Sequence, residues 1–81
     1  GLFMLPNGKI LEADMLSEKK RSYTCISMGP NEHYFVGTNT GDIIEINKAG
    51  KSVREYTTNW NNKIEFVTFV GDTILTNYGF F

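Results

Sequence analysis

The feature that most constrains this chain is an internal repeat. Gly8-Lys9-Ile10-Leu11-Glu12 is matched further on by Gly41-Asp42-Ile43-Ile44-Glu45, and Arg21-Ser22-Tyr23-Thr24 is matched at the same offset by Arg54-Glu55-Tyr56-Thr57. A third stretch, Thr76-Asn77-Tyr78-Gly79-Phe80-Phe81, echoes Thr38-Asn39-Thr40-Gly41-Asp42-Ile43 at a slightly longer offset. Each copy reads as a strand, an Asn/Gly turn and an apolar strand. Such a unit is a small antiparallel sheet that cannot bury both faces alone, so neighbouring units must stack on it. The repeat gives approximate units of residues 1–24, 25–63 and 64–81 in one continuous segment 1–81, with no linker between them.

Residue usage points the same way. Val, Ile, Thr and the aromatics supply 30 of the 81 residues, whereas Ala, the best helix former, occurs twice. Eight glycines and eight asparagines are spaced as turns between short strands require. The expected fold is all-β, an antiparallel meander. Strands are predicted over Gly1–Leu5, Lys9–Asp14, Tyr23–Met28, Tyr34–Gly37, Asp42–Asn47, Ser52–Thr57, Ile64–Val70 and Thr73–Asn77, with Pro6-Asn7-Gly8 as the first hairpin turn. A short helix within Ile10–Arg21 is the alternative for that stretch. Ile26, Val36, Ile44, Val67 and Ile74 are expected to form the apolar layer, with Glu12, Glu45 and Lys51 exposed.

The stretch from Thr24 to Asn47, with its Val36-Gly37-Thr38-Asn39-Thr40-Gly41-Asp42-Ile43 hairpin, resembles one blade of a WD-repeat-like β-propeller. It is also similar to blades of quinoprotein-type propellers, which share the Val-Gly-Thr and Gly-Lys turns. The resemblance covers most of the chain from Gly8 onward. Ile46-Asn47 stands where the family often carries Trp-Asp, and no Gly-His pair precedes it. It implies about two blades of a ring that takes ~4–8, so the segment is expected to belong to a longer propeller or to close a ring with identical copies. Between Asp14 and Cys25 there is little room for a fourth strand and the crossing back. Either that outer strand is degenerate, the reading favoured here, or Tyr23-Thr24 and Tyr56-Thr57 occupy different places.

Composition narrows function by exclusion. A formal charge of −1 lacks the basic footprint of a dedicated nucleic-acid binder, so nucleic acid is not an expected partner. Cys25 is the only cysteine and His33 the only histidine, which excludes an internal disulfide and leaves a zinc site short of ligands. No apolar run approaches the ~18 residues of a membrane helix. Gly1 in place of Met suggests an excised or processed segment, and the absence of Asn-x-Ser/Thr sequons fits an intracellular, cytoplasmic origin.

Candidate chemistry is sparse. Cys25 and His33 are separated by a turn, but Cys25 lies in an apolar alternation that reads as core. Glu12 and Glu45 sit at equivalent repeat positions, too far apart for a general acid–base pair. Glycines 37, 41 and 50 read as hairpin turns, not a phosphate loop, and Lys19-Lys20-Arg21 as a solvated connection. The expectation is a non-enzymatic scaffold for protein–protein interaction, without metal or cofactor, with Trp60, Tyr34 and His33 as contact residues. An enzymatic quinoprotein-like propeller with its active site elsewhere, and a small nucleic-acid-binding β-barrel, are the alternatives.

Overall fold

A computed structural model describes residues 3–4, 10–11 and 21–81. The described residues form only strands, turns and one short 3₁₀ segment, Pro30–Glu32. Strands β1 (Phe3–Met4) and β2 (Ile10–Leu11) pair antiparallel. Strands β3 (Tyr23–Met28), β4 (Tyr34–Thr38), β5 (Asp42–Ile46) and β6 (Ser52–Thr57) follow as a four-stranded antiparallel meander. Strands β7 (Val67–Val70), β8 (Thr73–Thr76) and β9 (Gly79–Phe80) form a three-stranded one. The all-β, antiparallel expectation is therefore met. The Asn7-Gly8 turn, the alternative helix, Glu12 and Lys19-Lys20 lie outside the described residues.

Register carries the repeat into three dimensions. Phe3 pairs with Leu11 in the first hairpin, and at the matching positions of the next copy Val36 pairs with Ile44. The later echo, of Thr38-Asn39 in Thr76-Asn77, is written in side-chain chemistry. Thr38 Oγ1 accepts from the Thr40 amide at 3.3 Å, and Thr76 Oγ1 accepts from the Tyr78 amide at 3.0 Å. Asn39 Oδ1 accepts from the Ser22 amide at 2.7 Å, just before β3. Its counterpart Asn77 Oδ1 accepts from the Glu65 amide at 2.8 Å, just before β7. Gly41 and Gly79 both have positive φ, 87° and 109°, as these turns demand.

Strand alternation sorts the core into two layers. Tyr34, Val36, Ile44 and Ile46 lie on one face of the four-stranded sheet, with Tyr23 and Ile26 packed beside them. Phe35 and Ile43 lie on the other face and meet Ile64, Val67 and Ile74. That second layer joins the two sheets, and β7 lies against β3 and β4. Ile26 is only half-buried, because β3 is the edge strand and its outer side has no neighbour in the sheet.

Two expectations need correction. The predicted strand from Ile64 begins only at Val67, because Ile64 is bonded crosswise to the first sheet. Its amide donates to Thr38 O at 2.9 Å, its carbonyl accepts from Thr24 Oγ1, and its side chain fills the space above Gly37. Tyr23-Thr24 and Tyr56-Thr57 are not equivalent either: the first pair opens the first strand of the sheet and the second closes its last. The match between those two segments is similarity without shared position.

Candidate functional site

The inner face of the four-stranded sheet presents two cross-strand rows. One runs Phe35, Glu45, Arg54, and the next runs Gly37, Ile43, Tyr56. At the end carrying the Pro30–Glu32 segment and the Gly71-Asp72 turn, the two sheets diverge around a cleft of about 650 Å³. Phe35, Phe69, Ile74 and Phe81 supply its apolar walls, and His33, Glu45, Arg54, Tyr56 and Asp72 its polar groups. The aromatic walls support one another: Phe69 meets Phe35 edge-on at 4.7 Å, and Phe81 meets Tyr56 edge-on at 6.0 Å.

Glu45 organises the polar side. His33 Nδ1 donates to Glu45 Oε2 at 2.5 Å, and the Tyr56 hydroxyl donates to Oε1 at 2.7 Å. Burial works against the carboxylate's charge, but the bonds from His33 and Tyr56 outweigh it and hold its pKa below the usual range. The Tyr56 hydroxyl is pushed up by burial and by its bond to Glu45. Both Glu45 oxygens are thus engaged within the protein, and the bond fixes an imidazole proton at Nδ1. Arg54 lies over the Tyr56 ring, its guanidinium carbon 5.9 Å from the centroid. Among the described residues, neither Arg54 nor Asp72 makes an ion pair.

A second polar cluster lies on the opposite face. Arg21 Nη1 donates to Asp42 Oδ2 at 2.7 Å and Arg21 Nη2 to Glu55 Oε1. Asp42 also accepts from Thr40 Oγ1 at 2.9 Å. Arg21 and Asp42 side chains are 1% and 3% exposed, so this is a buried clamp between the approach to β3 and strands β5 and β6.

The structure scatters the expected contact residues. Tyr34 is buried at 5% exposure within the outer core layer and offers no contact surface. His33 enters the cleft, where it is tied to Glu45. Trp60 is half-buried, its ring 5.1 Å from Tyr78 and 6.2 Å from Phe81, at the outer end of the same aromatic row. Glu45, expected to face solvent, has a side chain only 14% exposed. Glu45, Arg54 and Tyr56 were missed as a cluster. The available signal was one acid inside Ile43-Ile44-Glu45-Ile46, a strand apolar on both faces, where a charge needs a partner. Cys25 is a free thiol packed against the inter-sheet layer. Among the described residues no group of three or more metal-ligating side chains forms, and no helix is long and apolar enough to cross a membrane.

Comparison of the chain with protein-family models, with curated proteins and with solved structures finds no match.

Proposed function

We propose that this chain is a non-enzymatic segment of a β-propeller-type protein, in which stacked meander sheets act as blades and their loops and edges receive protein partners. One observation carries the reading. Successive sheets repeat the same hairpin chemistry, Thr38-Asn39 and Thr76-Asn77, with each asparagine capping the segment that enters its sheet. A chain built from such units extends by adding sheets face to face, which is how a propeller grows. Apolar side chains left at the periphery, Met28, Val53, Phe66 and Val70, suit contacts with other chains. Within the expected contact set, Trp60 with Tyr78 remains the platform to test, since tryptophan and tyrosine dominate interface energetics.

The test is site-specific photocrosslinking in the cell of origin, with the photoreactive residue at Trp60, Phe66 or Tyr78. The reading expects discrete protein adducts from at least one of these positions and none from the buried Ile44. No adduct beyond the Ile44 background at any of the three would remove it.

A further inference from the structure

The inter-sheet cleft has a charge pattern that the scaffold reading does not use. Glu45 is held by His33 and Tyr56 and feels the charge of Arg54, its cross-strand neighbour. Two charged groups at the cleft are left without a salt-bridge partner among the described residues, and they belong to opposite walls. Arg54 projects from β6 of the four-stranded sheet, and Asp72 from the β7–β8 turn of the three-stranded sheet. Between them the walls carry Phe35, Phe69, Ile74 and Phe81, with the polar Asn31 and Thr73 beside them. Tyr56 lies under the Arg54 guanidinium and also accepts a hydrogen bond from it, and the remaining guanidinium N–H groups suit a planar carboxylate. The volume, about 650 Å³, falls in the range of small-molecule sites.

We propose that this cleft binds a free α-amino acid with a large apolar side chain, its carboxylate on Arg54, its ammonium on Asp72 and its side chain between Phe35, Phe69 and Ile74. A purely cationic ligand meets Arg54, and a purely anionic one meets Asp72. A dipolar ligand satisfies both walls at once. An apolar side chain completes the fit, because Phe35, Phe69 and Ile74 offer it an apolar wall.

Trp60 is the only tryptophan and lies 6.2 Å from Phe81, a wall of the cleft, so its emission reports occupancy. The experiment titrates the full chain with L-phenylalanine, with phenylalaninamide and with N-acetylphenylalanine, repeating each titration on Arg54→Gln and Asp72→Asn. The expected result is saturable binding of L-phenylalanine, with the amide and the N-acetyl compound each about tenfold weaker or more, as loss of one charge-assisted bond implies. Arg54→Gln should remove the distinction between the acid and its amide only. Asp72→Asn should remove the distinction between the amine and its acetyl derivative only. The modified ligands test the site on the unaltered protein, so the conclusion stands even if a variant unfolds. No saturable change with L-phenylalanine, or equal binding of all three compounds, overturns the proposal.

Discussion

At the scale of single residues, Glu45 and Gly41 make opposite demands on the chain. Glu45 is a half-buried carboxylate whose folded pKa is lowered, so its stabilisation is fully present above the unfolded value near 4.5 and is lost as pH falls through the folded one. Glu45→Gln keeps the shape and removes the charge. We expect a cost of about 1.5–3 kcal/mol at neutral pH, the range for hydrogen bonds to a charged group, shrinking progressively below pH ~4.5. Urea unfolding of both proteins across pH 3–7 measures it, and a pH-independent difference would contradict the assignment. Gly41 is fixed by backbone geometry instead. Its φ is 87°, and a Cβ there would stand 3.0 Å from the Asn61 amide nitrogen and 3.1 Å from Asn62 backbone atoms. Gly79 has the same kind of φ with nothing within 4 Å. Gly41→Ala should therefore cost more than about 1 kcal/mol, and Gly79→Ala only the conformational part of that. Equal losses in unfolding experiments would mean that the crossing segment does not press on Gly41.

At the scale of elements, burial ranks the strands. Ile44 is fully buried on the central strand β5, whereas Ile26 is half-buried on the edge strand β3. Ile44→Ala should cost about 2–5 kcal/mol, and Ile26→Ala clearly less, because part of its surface already meets water. The Arg21 clamp ties the approach of β3 to β5 and β6. Arg21→Met should cost about 3–5 kcal/mol by leaving Asp42 buried without its partner, a loss seen as a lower urea midpoint. Most of this architecture was legible in the sequence. Tyr23–Met28 and Ser52–Thr57 were placed to the residue, because turn residues bracket short β-branched and aromatic runs there. The hairpin at Thr76 was legible because its chemistry copies that at Thr38. Ile64 was not, since an apolar residue reads alike in a strand and in a crosswise plug, and only long-range bonds to Thr38 and Thr24 distinguish them. The cleft was hidden for a related reason. His33, Glu45, Tyr56 and Asp72 converge only through sheet register and sheet stacking, neither of which is local.

At the scale of the whole molecule, the two sheets are not equally covered. Phe35 and Ile43 of the four-stranded sheet are buried because the three-stranded sheet lies over them through Val67 and Ile74. Alternation then puts Val70, Leu75 and Phe80 on the far face of that second sheet, and Val70 and Phe80 are 55% and 61% exposed. The far face thus carries apolar side chains beside Thr68 and Thr73, and among the described residues no sheet lies upon it. Water-facing apolar surface of this kind drives association. In the absence of a partner, the purified chain should run in solution as an assembly or a polydisperse mixture larger than 9.2 kDa. Val70→Lys combined with Phe80→Lys should shift it toward the monomer at little cost in stability, since both side chains are already largely in water. The same pair of changes on a monomeric protein would alter nothing in assembly state. Light scattering coupled to size exclusion reads both outcomes. A monodisperse 9.2 kDa species for the unaltered chain would show that this face tolerates water.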